Sequence, residues 1–142
     1  MQVRVAAGVV LRNAAGRILL IRRATEDTWG IPGGGLEPGE TWARAALREC
    51  REETGWEARI DELLGIYSDP ATQVHRYPSG AVRQFVGVVF LATATACVGE
   101  RDDEATELRW VTPNDLPTPL FAPDVPVLKD AVDADTRRPV IN

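Results

Sequence analysis

The hydrophobic positions fall into short runs separated by turn residues, with two segments that repeat at helical spacing. Val3 to Leu11 reads as a strand, and Asn13-Ala14-Ala15-Gly16 supplies turn chemistry after it. Arg17 to Arg23, with Ile18 to Ile21 at its centre, follows as a second strand, so the two predict a hairpin. Thr25 to Gly39 is dense in Gly and Pro and predicts an irregular loop. Thr41 to Thr54 predicts a helix: Thr41 offers an N-cap hydroxyl, Ala, Leu, Arg and Glu fill the interior, and Gly55 suits a left-handed C-terminal position. Arg59 to Ser68 reads as a strand. Val74 to Tyr77 and Val82 to Val98 flank Pro78-Ser79-Gly80 and predict a second hairpin. Its long arm from Phe85 to Ala92 has the near-continuous apolar character of a central strand. Glu100 to Glu107 reads as a charged loop, Leu108 to Val111 as a short strand, Thr112-Pro113 as the start of a helical turn, and Asp124 to Ala134 as a closing helix. Strands mixed with helices in this way place the chain in the α+β or α/β class. No internal repeat or linker interrupts it, so residues 1–142 are expected to form one domain.

The helix from Thr41 carries candidate chemistry. At about 100° per residue, Ala43, Ala46, Leu47 and Cys50 share one face. Glu49, Glu52 and Glu53 share another, because spacings of three and four residues bring side chains one turn apart. Ala45 falls among those glutamates and is expected to leave open space above the backbone. Like charges so close repel, unless a cation sits over them. Mg²⁺ fits: it accepts carboxylate oxygens, keeps some waters, and takes its remaining ligands from phosphate. A glutamate-rich face is ordinarily just solvated, so the preceding Trp29-Gly-Ile-Pro-Gly33-Gly34-Gly35 matters. That glycine run lets the backbone approach a ligand and point a carbonyl at an ion.

The formal charge of −5 argues against a nucleic-acid polymer as partner, since such binding uses a basic surface, but it leaves room for a phosphorylated small molecule. The two cysteines, Cys50 and Cys97, sit in apolar stretches and read as buried thiols rather than a disulfide. The amino terminus lacks a signal-peptide layout and no apolar run approaches membrane-spanning length, so no membrane association and a cytoplasmic location are expected.

From Gly34 to Trp56 the sequence resembles the Nudix box: Gly, five residues, Glu, seven residues, then Arg-Glu-apolar-x-Glu-Glu-x-Gly-apolar. Gly34, Glu40, Arg48, Glu49, Glu52, Glu53 and Gly55 fill the fixed positions, and Cys50 and Trp56 the apolar ones. The resemblance implies a Nudix-type α/β/α sandwich, with a mixed sheet between helices, that hydrolyses a diphosphate bond. Glu52 and Glu53 would be the main metal ligands, joined by Glu49 and the Gly33 carbonyl, with Mg²⁺ the expected ion and Mn²⁺ the alternative. Glu49 is split between ligand and general base. Arg48 and Glu40 would form a charge pair that orients the glutamates. The family often adds a carboxylate from outside the box; Glu104 is favoured among Glu100, Asp102, Asp103, Glu104 and Glu107.

The substrate is expected to be a nucleoside diphosphate linked to a second group. ADP-ribose or a nucleotide sugar is favoured, partly because Pro70 is similar to a proline of ADP-ribose pyrophosphatases, and nucleoside triphosphate clean-up is the alternative. Arg22 and Arg23 read as phosphate or base contacts, or as a solvated strand end. Trp29, Tyr67 and Phe85 read as base-stacking side chains, or as core. His75, the single histidine, is expected on an exposed hairpin without a catalytic task. A silent nucleotide sensor is the competing class, and a homodimer is implied by the resemblance alone.

Overall fold

A computed structural model describes all 142 residues. Its strands are β1 (Gln2–Arg12), β2 (Ile18–Arg23), β3 (Trp29–Gly30), β4 (Gly33–Gly35), β5 (Trp56–Tyr67), β6 (Val74–Arg76), β7 (Val82–Cys97), β8 (Ala105–Val111) and β9 (Val140–Ile141). Its helices are α1 (Trp42–Thr54), α2 (Pro70–Gln73) and α3 (Asp124–Val132). All nine strands join one mixed sheet with the central order β3-β2-β1-β7-β5-β9; β4 adds to β1, β6 to β7 and β8 to β2.

The apolar runs near the sheet centre make sense once both faces are covered. Successive strand residues point to opposite faces. Val10, Ile18, Leu20, Val89 and Leu91 therefore pack with Val127 and Leu128 of α3. Val9, Leu11, Leu19, Val88 and Ala92 pack with Ala45, Ala46 and Cys50 of α1 on the other face. The expected sandwich, helix on sheet on helix, is the observed one. No helix is long and apolar enough to cross a bilayer.

Several expectations need correction. The β1–β2 pair meets only at Arg12 and Ile18. β1 instead runs parallel to β7 from Gln2–Arg83 to Arg12–Thr93, and β2 pairs along its length with β8. The segment Thr25 to Gly39 is not wholly irregular: Trp29–Gly30 pairs with β2, and Gly33–Gly35 with β1. Strand β8 already begins at Ala105, inside the stretch read as a loop. Thr112 opens a single turn, as expected, with the Asp115 N–H donating to its carbonyl at 3.0 Å. Cys50 is buried but Cys97 is exposed, because it ends β7 beyond the reach of the core. Ala45, read as open space, lies fully inside the core.

Helix α1 forms as its sequence dictates. Thr41 Oγ1 accepts from the Arg44 N–H at 3.1 Å, and Gly55 ends the helix at φ 76° with its N–H on the Arg51 carbonyl. That left-handed turn feeds directly into β5, so the far end of α1 is fixed against the sheet.

Candidate active site

Arg48 organises the acidic face of α1. Its Nε and Nη2 reach Glu40 Oε2 and Oε1 at 2.7 and 2.8 Å, a two-point contact that ties the loop before the helix to the helix. Its Nη1 donates to Glu49 Oε1 at 2.9 Å and Glu52 Oε2 at 3.3 Å, and Nη2 also reaches the Gly35 carbonyl at 2.9 Å. The Arg48 guanidinium and the Glu37 N–H together hold the Glu40 carboxyl down at about 2. Glu49 moves the other way: burial raises its pKa against the pull of Arg48.

Glu53 is fully buried, where a solvated helix face would have left it exposed. Its Oε1 accepts from the Gly33 N–H at 2.8 Å. Its Oε2 is buried without a partner. Burial pushes this carboxyl up to about 8, opposed by the nearby Arg23 and by the Gly33 N–H.

Arg23 owes its position to an irregularity. The β2–β8 register shifts between Arg22 and Arg23, and such a shift re-aims side chains. Arg22 turns to Asp27 and Glu107 outside the site. Arg23 turns inward, donates to the Ile31 carbonyl at 3.2 Å and lies over the Phe121 ring at 5.0 Å. Beyond it is Asp124, at the start of α3, which accepts from the Ile31 N–H at 3.0 Å. Burial lifts Asp124 to about 6, against the pull of Arg23. The glycine loop is thus bracketed at Ile31 by Arg23 and Asp124, and at Gly33 by Glu53.

Arg23, Ile31, Gly33, Arg48 and Asp124 line one cleft of about 410 Å³, and Glu53 touches it only through its hydrogen bond to Gly33. Glu49, Glu52 and Glu104 edge it beside Gly33 and Gly34, and Tyr77, Phe85 and Phe121 also wall it. Of the acidic residues from Glu100 to Glu107, Glu104 alone lines the cleft, and its charge raises both Glu49 and Glu53. Its backbone is held by the Ala24 N–H, while the Asp102 N–H caps the Glu52 carbonyl at 2.7 Å.

Two expected stacking residues are not in the cleft. Trp29 is a core side chain covered by the guanidinium groups of Arg22 and Arg109, and Tyr67 is buried with its hydroxyl donating to Asp130 at 3.0 Å. Their alternation within strands sends both rings into the core. Phe85 does line the cleft; Arg22 does not. His75 is also corrected: its side chain is only 13% exposed and its Nε2 pairs with Glu26. The sequence reading missed Glu26, Tyr77, Phe121 and Asp124. Phe121 arrives because its N–H bonds the Trp29 carbonyl at 2.7 Å, a pairing across many residues that no local signal announces.

A hard divalent cation fits this donor set. The donors are oxygens, Glu53 Oε2 is an orphaned buried acceptor, and Gly34 leaves room where a Cβ would stand 2.5 Å from the Glu49 carboxyl. No three carboxylates converge on one point, since Glu49 and Glu52 lean onto Arg48. Replacing Gly34 by Ala is expected to displace the Glu49 side chain while the backbone stays put. Activity should fall about tenfold or more, with the thermal midpoint nearly unchanged, because misplacing one reacting group is costly; paired rate and melting measurements check this.

Residues 2–131 match the NUDIX domain. The chain belongs to the NUDIX family. It is 36% identical over 127 residues to a MutT-like protein of Streptomyces ambofaciens, covering 89% of this chain and 75% of that one. It is 36% identical over 108 residues to an ADP-ribose pyrophosphatase of Methanocaldococcus jannaschii, covering 74% of this chain and 60% of that one. The crystal structure of a MutT NUDIX hydrolase from Burkholderia pseudomallei superimposes with a TM-score of 0.75 at 30% identity, over 92% of this chain and 98% of that one. This NUDIX protein is accordingly a hydrolase of the pyrophosphatase type.

Proposed function

We propose that this NUDIX hydrolase is a Mg²⁺-dependent pyrophosphohydrolase that cleaves the diphosphate of a nucleoside diphosphate linked to a second group. The observation that carries the reading is the cleft itself. It joins a carboxylate cluster suited to metal and phosphate to an aromatic wall suited to a base. An ADP-ribose or nucleotide-sugar substrate is favoured; the name of the Methanocaldococcus relative supports it.

Glu53, Glu52, Glu49, Glu104 and the Gly33 carbonyl are the residues that would hold the ion. When bound, the cation neutralises phosphate charge and lowers the pKa of a water. Glu49 is the residue assigned to take the proton from the attacking water, a reading supported by its burial, which raises its pKa. Water oxygen bonds to phosphorus, and the phosphorus–oxygen bond to the leaving phosphate breaks. Arg48 holds Glu49 and Glu52 in place through Nη1.

The test is product release from a panel of ADP-ribose, nucleotide sugars and nucleoside triphosphates, run with Mg²⁺ and with EDTA. Expected is cation-dependent turnover of diphosphates linked to a second group, with EDTA abolishing it. Faster turnover of triphosphates would replace the favoured substrate by the clean-up reading. Tight nucleotide binding without turnover of any compound would overturn the enzyme reading in favour of a sensor.

A further inference from the structure

Four arginines line the cleft: Arg4, Arg23, Arg48 and Arg83. Two are committed inside the protein. Arg48 is spread over Glu40, Glu49, Glu52 and the Gly35 carbonyl, and Arg23 holds the Ile31 carbonyl. Arg4 and Arg83 enter none of the chain's ion pairs. Every guanidinium that donates a hydrogen bond within the chain belongs to another arginine. Among the acidic lining residues, Glu26 pairs with His75 and Glu37 lies 3.8 Å from Arg48.

The register puts the two free guanidinium groups on one face. Arg4 of β1 stands beside Phe85 of β7, and Arg83 stands beside Gln2, two positions along. Side chains alternate, so Arg4, Phe85 and Arg83 point the same way, with about 8 Å between the two arginine Cα atoms. Like charges at that spacing repel, and neither has an internal anion to offset it. Arg83 is steadied over the Tyr77 ring at 5.3 Å, a contact that fixes its place and leaves its N–H donors without an acceptor. Arg4 Nη2 stands 3.2 Å from where a Cβ on Gly35 would be, so glycine there gives it room. Gly35 is two residues from Gly33, which anchors Glu53, and the small residues Ala6 and Gly8 pair with them from β1. The cleft floor from Arg4 to the carboxylates therefore carries no large side chain.

A guanidinium fork matches the oxygens of a phosphate group, and two forks on one face can share it. We propose that Arg4 and Arg83 form an anion subsite at this end of the cleft, holding a phosphate group that the substrate carries in addition to the two it is cleaved between. The proposal deepens the nucleotide reading of this cleft and rests on it. Such a phosphate has two chemical sources: the terminal phosphate of a nucleoside triphosphate, or a phosphate on the group linked to the diphosphate.

Net charge sets the sign of the test. The chain carries a formal charge of −5 and the cleft holds a carboxylate cluster, so an added phosphate weakens binding unless dedicated cations receive it. Two ligand pairs differ by one phosphate: ADP against ATP, and ADP-ribose against ADP-ribose phosphorylated on its terminal ribose. Calorimetry on the full chain, in EDTA at low salt, reads their affinities without need of turnover. In at least one pair the phosphate-richer member is expected to bind about tenfold tighter or more, the range of a charge-assisted hydrogen bond. A gain in the first pair names the triphosphate as the source, and a gain in the second names the linked group. Arg4→Met with Arg83→Met is expected to bring each pair within about threefold. Arg17→Met with Arg44→Met removes the same charge at exposed positions outside the cleft and is expected to leave the gain in place. Equal or weaker binding of the richer member in both pairs overturns the proposal, as does a preserved gain in the folded Arg4, Arg83 double variant. Should that variant fail to fold, Arg4→Met alone, at an exposed position, decides: an unreduced gain there overturns the subsite. A phosphate-dependent gain with no hydrolysis of any diphosphate in Mg²⁺ would sink the enzyme reading and leave the subsite standing. Hydrolysis without the gain would do the reverse.

Discussion

Exchanging Glu53 for Gln is expected to lower the rate of diphosphate hydrolysis by roughly a thousandfold or more, at the upper end of what one catalytic carboxylate contributes. The fold should survive. The amide oxygen of Gln can still accept the Gly33 N–H that Oε1 accepts at 2.8 Å, so the glycine loop keeps its anchor. Oε2 has no protein partner to lose. A fully buried carboxyl already pushed up to about 8 is costly to ionise, so removing its charge costs the fold little. The variant separates a carboxylate kept for chemistry from one kept for packing, since shape and one hydrogen bond are conserved and only ionisation is lost. Initial rates and a thermal melt on the same preparation measure it. Activity within about tenfold of the natural protein, with the melt unchanged, would remove Glu53 from the site.

How much of this was legible beforehand depends on whether a residue's partner is near in sequence. Helix α1 was legible because Thr41, Gly55 and the glutamate spacing are local features. The hairpin of β6 and β7 was legible for the same reason, with Pro78-Ser79-Gly80 between its arms. The parallel β1–β7 pairing was not, because nothing within either strand names a partner some eighty positions away. The short strands β3 and β4 were hidden in a run of Gly and Pro whose composition signals a loop; tertiary pairing with β2 and β1 overrides it.

The same divide runs through the cleft. Glu40, Arg48, Glu49, Glu52 and Glu53 sit in one continuous segment, so their grouping could be seen from spacing. The burial of Glu53 could not, because it depends on the glycine loop folding back over the helix. Aromatic type alone misplaced Trp29 and Tyr67, for a ring in a strand goes to whichever face its register assigns. Both face the core. The Glu26–His75 pair joins a loop to a strand across the sheet edge, and neither residue has a neighbour that announces it.

The second large effect is expected in stability rather than rate. Arg23 is the cation whose charge pulls down both Glu53 and Asp124, and burial wins at each. Arg23→Met keeps a comparable apolar stem against Phe121 and removes the charge. Arg23 acts on both carboxyls through its charge without a direct ion pair, so removing it is expected to cost about 0.5–3 kcal/mol, the usual range when a buried charge is left less compensated. That is the loss expected for Arg23→Met at pH 8 in EDTA, measured by denaturant unfolding. The loss should shrink toward pH 5. Asp124 stands at about 6 when folded, above its ordinary 3.8, so the folded protein binds the extra proton. Its favourable contribution is fully present below the ordinary value and is lost as pH rises through about 6. Without Arg23 the upper edge of that window moves higher still, and Glu53 shifts in the same direction. Adding Asp124→Asn to Arg23→Met should then restore part of the lost stability, since Asn still accepts the Ile31 N–H and carries no charge. Asp124→Asn alone should destabilise, because it leaves Arg23 with less to balance it. Opposite signs for one substitution in two backgrounds are the signature of direct coupling. Simple additivity across the cycle would show that Arg23 and Asp124 hold the glycine loop independently.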